Sequence, residues 1–267
     1  RARRIAGTSA ARLDLPDKVF GVARFVHDLR LPGLLHARVI RPPARHAGLL
    51  AIAESALPAG VTLARDGAFL AVVAETEHAA ERAAERLATR ITWEVQDTLP
   101  PDATLGDWLR DEPGEHSIIL DRDDPAPPAA QTLRASFHRP YVTHASIGTS
   151  CAVARWQDGR LEVWTHSQGV YNLRADLGKA LSMAAEDILV RHREGAGCYG
   201  HNGADDVALD AALAARAVPG RPVRLLWTRA EELGWGPMSS AMLVEVEASL
   251  DAAGNIATWR EEVTSHG

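Results

Sequence analysis

The feature that most restricts this chain is a glycine string, Gly195-Ala196-Gly197-Cys198-Tyr199-Gly200, set between two segments of different character. Ahead of it, Ile188–Val190 reads as a strand. Behind it, residues 204–217 are rich in alanine and contain neither glycine nor proline, which predicts a helix. Asp205 and Asp206 stand in its first turn, where negative charge suits the helix N-terminus. Pro219-Gly220 then stops the helix, and Pro222–Trp227 reads as the next strand. A strand, a tight glycine turn and a helix demand an architecture that mixes sheet and helix.

The string also spells the G-x-G-x-x-G pattern of dinucleotide sites, in which glycines let a pyrophosphate approach the backbone. Three features oppose that reading. The strand ends in the polar run Arg191-His192-Arg193-Glu194. Asp205 and Asp206 would repel an anion. An acidic residue is expected about 20 residues on, yet Glu231 lies 31 beyond Gly200. What survives is more general. A glycine turn exposes backbone N–H groups, which can hold an oxyanion or a metal-bound oxygen. The plainer alternative is a strand-to-helix turn with no ligand.

The rest of the chain divides at a charged, proline-rich stretch, Asp121-Arg122-Asp123-Asp124-Pro125-Ala126-Pro127-Pro128. Such a composition buries little and predicts a linker. Before it, Asp14–Lys18 and Leu31-Pro32-Gly33 read as turns, and Ala23–Val26 and Leu34–Ile40 as strands. Residues 69–74, Phe-Leu-Ala-Val-Val-Ala, predict a buried strand. Thr76 can cap a helix to about Thr89, with Ala80, Ala83, Ala84 and Leu87 at helical spacing. Ile91–Val95 reads as a further strand, so this block is α+β. After the linker, Gln157-Asp158-Gly159-Arg160 between apolar runs predicts a hairpin. Val170, Leu173, Leu177, Ala180 and Leu181 mark one face of a helix, and Met242–Ala248 alternates into a turn at Asp251–Gly254.

Composition removes several function classes. A net charge of −6 offers no overall basic surface for nucleic acid. No apolar run reaches membrane-span length, and no long apolar stretch follows the basic residues Arg1–Gly7, as a signal peptide requires. Two cysteines, Cys151 and Cys198, are too few for an iron–sulfur cluster. Eleven histidines invite a zinc reading, but Cys198-x-x-His201 has no second pair at zinc spacing. Ser146, Ser150 and Ser167 lack a nucleophile-elbow setting. With no initiator methionine and an unmatched final hairpin, the chain is expected to be part of a longer protein.

Several strings, in order, resemble one family. Arg12-Leu13-Asp14, Gly21–Leu29 and Pro32–Val39 are similar to the opening of the hammerhead domain of xanthine dehydrogenase/aldehyde oxidase-type molybdenum hydroxylase large subunits. Thr165-His166-Ser167-Gln168-Gly169 resembles the segment that carries that family's cofactor-contacting glutamine. Gly197-Cys198-Tyr199-Gly200 resembles its Gly-Gly-Phe-Gly turn, and the 31 residues from Gln168 to Tyr199 match the family's separation. Gly220–Arg224 followed by Thr228–Glu232 resembles a further family strand. His201–Asp206 is most similar to the bacterial isoquinoline and nicotinate oxidoreductase branch.

The resemblance implies an α+β fold. The aldehyde oxidase/xanthine dehydrogenase hammerhead domain would span residues 1–115, a linker 116–130, and the first part of the mixed α/β molybdopterin-binding domain 131–267. It implies a molybdenum–molybdopterin cofactor, in some members a cytosine dinucleotide, that hydroxylates an aldehyde or N-heterocycle with oxygen from water. Gln168 would hydrogen-bond the cofactor. Gly197, Cys198, Tyr199 and Gly200 would line it, with the N–H groups of Tyr199 and Gly200 facing the metal's oxygen ligand. Tyr199 stands where the family has phenylalanine, Cys198 replaces a glycine, and Gly203 stands where many members carry a glutamate. No side chain here is expected to ligate metal, and the family's glutamate base falls outside this chain. Glu194, Glu231 and Glu232 are expected to be solvated or paired. Electrons would leave to an iron–sulfur subunit, and the rest of the large subunit or another chain would complete the site around a small-molecule substrate. The alternatives are a non-catalytic split or degenerate subunit serving assembly, and an NAD-dependent dehydrogenase using the Gly195–Gly200 string. The sequence assigns neither substrate nor compartment.

Overall fold

Why residues 69–74 are apolar without alternation is plain from the fold, because both faces of that strand are covered. A computed structural model describes residues 3–54, 57–96, 104–203 and 207–266. Its contacts gather the chain into two compact units, each discontinuous: Arg1–Gln96 with His144–Gly236, and Asp97–Thr143 with Pro237–Gly267.

The first unit opens with helix α1 (Leu15–Val19), then strands β1 (Leu35–Val39), β2 (Ala47–Ile52), β3 (Thr62–Asp66) and β4 (Phe69–Ala74). Helix α2 (Glu77–Ala88) follows, and then β5 (Ile91–Val95). Two expectations are corrected here. Asp14–Lys18 is largely the start of α1 rather than a turn, because Pro16 in the first turn is preset for a helix. Ala23–Val26 is no strand. A short 3-10 turn at Val26–Asp28 replaces it, and the Asp28 carboxylate accepts from the Phe25 N–H at 3.1 Å and folds the backbone back. In α2 the Thr76 hydroxyl accepts from the Ala79 N–H at 3.2 Å, and Ala80, Ala83 and Leu87 are buried.

The same unit continues with β8 (Cys151–Gln157), β9 (Arg160–Thr165), α4 (Val170–Leu181), β10 (Ile188–His192), α5 (Val207–Arg216), β11 (Val223–Leu226) and α6 (Arg229–Trp235). The β8–β9 hairpin turns on Asp158 and Gly159, both at positive φ, 53° and 77°. Within the predicted helix 204–217, Ala204, Asp205 and Asp206 lie outside the described residues. Thr228–Glu232, expected in a strand, opens α6 instead. Thr228 and Glu231 form a reciprocal capping box, which initiates a helix rather than an extended segment.

Seven strands form one mixed sheet in the order β10-β9-β8-β11-β1-β4-β3. β1 lies parallel to β11, and β9 parallel to β10, while the other pairs are antiparallel. Ala71 and Val73 of β4 belong to the core under α4 and α5, whereas Leu70 and Val72 pack with Ala83 and Leu87 of α2. The antiparallel pair β2–β5 closes that second layer through Leu49, Ile52, Ile91 and Trp93.

The second unit contains α3 (Leu105–Asp111), β6 (Gln131–Arg139), β7 (Val142–Thr143), β12 (Met238–Ser239), β13 (Met242–Leu250) and β14 (Ile256–Ser265). β14, β13 and β6 form an antiparallel sheet, and β12 pairs with β7. Leu105 and Leu109 of α3 bury against Ala241 and Leu243. Residues 113–130 carry neither helix nor strand and are exposed throughout. The fold is thus α+β, with the candidate site residues in the first unit.

Candidate cofactor site

Four loops meet at one end of the seven-stranded sheet, and strand direction explains why. β9 and β10 are parallel, with Thr165 opposite His192, so the segments leaving them run side by side. The Arg193 N–H continues this pairing to the Thr165 carbonyl at 2.8 Å. β8 is antiparallel to β9, so the segment entering β8 at Cys151 arrives at the same end. β11 is antiparallel to β8, with Leu226 opposite Cys151, so it leaves there as well. Gln168 and the glycine turn, far apart in sequence, are brought together by the parallel pair. Carboxyl ends of strands in open α/β sheets are the usual place for ligands.

The glycine turn is sharply bent. The Gly197 N–H donates to the Gly195 carbonyl at 3.0 Å, and the His201 N–H to the Cys198 carbonyl at 2.9 Å. Gly197, Tyr199 and Gly200 have φ of +106°, +52° and +103°. Gly197 needs both its backbone freedom and its small size, since a Cβ there would lie 3.3 Å from the Ile147 nitrogen. Tyr199 adopts a left-handed conformation without being glycine, at a cost on the order of 1–3 kcal/mol. The residue is 64% exposed.

The structure brings the sequence-predicted residues to one place. Gln168 is exposed, and its N–H donates to the Asn202 carbonyl at 2.9 Å, just past the turn. Cys198 is half-buried, and its carbonyl also accepts from the Ser146 hydroxyl at 3.2 Å. Among the described residues, none accepts the N–H of Tyr199 or Gly200. N–H groups of exposed residues with no acceptor among the described residues, on a turn to which the exposed residue Gln168 is linked through Asn202, fit an oxygen-rich, anionic cofactor.

Beneath the turn is a buried polar layer. The Nδ1 of His201 lies 2.9 Å from Oε1 of Glu232, and the two side chains are 4% and 1% exposed. Oε2 of Glu232 accepts the Ser150 N–H at 2.8 Å. The rings of His144 and His166 flank His201, with centroids 5.8 and 6.4 Å away. Burial alone would raise the Glu232 carboxyl, but His201 and the Ser150 N–H outweigh it and hold the group down to about 2. Arg229 donates to the Ser146 and Ile147 carbonyls at 2.7 and 2.8 Å. His27 shares a hydrogen bond with the Thr149 carbonyl at 2.8 Å.

The other carboxylates have structural partners. Glu194 is held below its ordinary value by Lys18, 3.0 Å away, and by Arg24 at 3.3 Å. Glu231 is raised by burial and accepts the Thr228 N–H at 2.6 Å. Among the described residues no group of three or more His, Cys, Asp or Glu is arranged to hold a metal ion. No described helix is long and apolar enough to cross a membrane. The dinucleotide reading meets an obstacle in topology. The glycine turn follows β10, the edge strand of a mixed sheet, whereas the fingerprint serves a parallel doubly wound sheet.

Sequence reasoning missed Glu232, Arg229 and Ser150 as parts of the site. The Thr228-x-x-Glu231 spacing was the available signal, since a capping box would have put Arg229 and Glu232 on one helical face.

The chain is similar to known proteins in both sequence and fold. Residues 116–267 match the model of the molybdopterin cofactor-binding domain. The chain is 41% identical to a nicotinate dehydrogenase subunit of Pseudomonas putida, over 96% of its own length and 23% of that protein's. Among solved structures, quinoline 2-oxidoreductase from Pseudomonas putida 86 aligns with a TM-score of 0.78 at 21% identity, over 96% of this chain and 39% of that one. The aldehyde oxidoreductase from Desulfovibrio gigas aligns with a TM-score of 0.77 at 18% identity, over 94% and 33%.

Proposed function

We propose a molybdenum hydroxylase from one premise: this chain belongs to the molybdopterin cofactor-binding domain family. It spans less than a quarter of the curated relative and about two fifths of the quinoline enzyme chain. The proposal therefore concerns one wall of a larger site. Its order along the chain would be a hammerhead domain over 1–115, a linker over 116–130 and the start of the cofactor domain over 131–267.

The observation that carries the proposal is the meeting of Gln168 with the Gly195–Gly200 turn, where the N–H groups of Tyr199 and Gly200 have no protein acceptor among the described residues. In this reading Gln168, Gly197, Cys198, Tyr199 and Gly200 contact the cofactor. The Gln168 amide both donates and accepts. The two N–H groups hold an oxygen in a fixed position, at no reorganisation cost during reaction. The small residues let the group come close to the backbone. When bound, the molybdenum–pterin group, here taken as the cytosine dinucleotide, supplies two-electron hydroxylation of an aldehyde or N-heterocycle with oxygen from water. An iron–sulfur partner subunit takes the electrons. The name of the 41% identical relative, nicotinate dehydrogenase, favours the heterocycle. Glu194, Glu231 and Glu232 are not assigned as general base, because each is committed to a protein partner.

Metal and pterin analysis of the native assembly tests the reading. Molybdenum and a pterin are expected in equal amounts. Gln168→Ala should lower heterocycle oxidation about tenfold or more without unfolding the protein. Full activity in an assembly that contains neither molybdenum nor pterin would overturn the proposal.

A further inference from the structure

We infer that helix α6 is the clamp that gives the cofactor-facing turn its shape, with Glu232 as a positioning residue and Arg229 as its exposed counterpart. The inference rests on the cofactor reading above and concerns residues that touch no cofactor atom. Arg229 and Glu232 are three apart and so share one face of the helix. Both grip the segment Ser146–Ser150. Arg229 donates to its first two carbonyls, and Glu232 accepts from its last N–H. That segment in turn touches the turn at two points. The Gly148 N–H donates to the Ala196 carbonyl at 2.8 Å, and the Ser146 hydroxyl to the Cys198 carbonyl at 3.2 Å.

Glu232 also reaches the turn from the other side. Its second oxygen lies 2.9 Å from His201, whose N–H is bonded to the Cys198 carbonyl. One buried carboxylate therefore accepts from the segment that buttresses the turn and lies within ion-pair distance of His201, the residue that follows it. The helix is fitted closely to this task. A Cβ at Gly236 would lie 2.6 Å from the Glu232 carbonyl and 3.6 Å from the His201 ring. A carboxylate at 1% exposure is costly unless its partners are well placed. Packing α6 against the sheet would not by itself call for one. Fixing the direction of the Tyr199 and Gly200 N–H groups would, because such donors act only when held in advance of binding.

The test compares Glu232→Asp, Glu232→Gln and Arg229→Ala in the native assembly. Aspartate keeps the charge but is one methylene short of spanning Ser150 and His201. Glutamine keeps the reach, with its oxygen for the Ser150 N–H and its amide for Nδ1 of His201. Molybdenum and pterin per folded protein, kcat per molybdenum and the thermal midpoint are read together. The aspartate variant should lose about tenfold in cofactor content or in kcat per molybdenum, as expected for a residue orienting a site from behind. The glutamine variant should stay close to wild type. Arg229→Ala, altered at an exposed position, should lose in the same direction while remaining folded, and it decides the matter if the aspartate variant does not fold.

A loss that only tracks the thermal midpoint, or a glutamine variant as impaired as the aspartate one, would overturn the clamp. So would an Arg229→Ala protein with normal cofactor content and kcat. In each case wild type still carries molybdenum, so the cofactor reading stands. Wild type without molybdenum or pterin instead overturns that reading, and the clamp falls with it.

Discussion

At the scale of single residues, steric room decides more than charge. Gly195 has an ordinary backbone, so its identity is set by space alone: an added Cβ would lie 2.8 Å from the His166 Cβ and 3.1 Å from its Cγ. Neither atom can swing away, because both lie at the root of a buried side chain. Gly195→Ala should therefore destabilise the protein by about 1–3 kcal/mol, as overpacking does. Chemical denaturation with an unchanged slope would measure it, and an unaltered midpoint would show that the loop has slack. The glycine string was legible in the sequence because glycine carries its constraint locally. Glu232 was not. It reads as one more acidic residue in a charged run, and its partner Ser150 lies 82 residues away in sequence. Burial of a charge depends on partners that only the fold supplies.

At the scale of elements, the legible ones are those whose packing repeats along the chain. α2 was readable from Thr76 and the spacing of Ala80, Ala83 and Leu87, and each of these three is buried. The β8–β9 hairpin was readable from Asp158-Gly159, which adopts the positive φ values such a turn needs. β6 was not read as a strand, although Leu133, Ala135 and Phe137 alternate with polar residues, and the structure leaves all of its residues exposed. α5 shows a different logic. Ala208, Ala211, Ala212, Ala214 and Ala215 are all fully buried, so the helix lies close against the sheet with alanine on several faces. The Trp156 ring N–H donates to the Ala212 carbonyl at 2.7 Å and fixes the helix against β8. Ala211→Leu must push helix and sheet apart, and a loss of about 1–3 kcal/mol is expected. A thermal midpoint equal to wild type would mean that α5 can shift without cost.

At the scale of the whole molecule, the sheet is assembled from chain on both sides of the proline-rich stretch. β1, β3 and β4 come from before it, and β8 to β11 from after it. The joining pair is β1–β11, parallel, with Leu35 opposite Val223 and Ala37 opposite Leu225, all four buried. No local periodicity announces a pairing between strands so far apart, which is why the sequence suggested successive blocks rather than a shared sheet. The second unit is divided in the same way, since α3 precedes the stretch while Ala241 and Leu243, against which it packs, follow it. The consequence is testable. A fragment of residues 131–267 keeps β8–β11 but exposes the inner edge of β11 and uncovers Val223 and Leu225. It also loses Leu105 and Leu109 from the core of the second unit. An unpaired, apolar edge of this kind favours association. Alone, the fragment should elute as aggregate and unfold without cooperativity; expressed together with residues 1–115 it should recover a single species with the far-UV circular dichroism of the intact chain. If residues 131–267 instead run as a monomer with a sharp unfolding transition, β1 is a cover that the sheet can lose, and the two halves of this chain are independent in a way the β1–β11 ladder does not suggest.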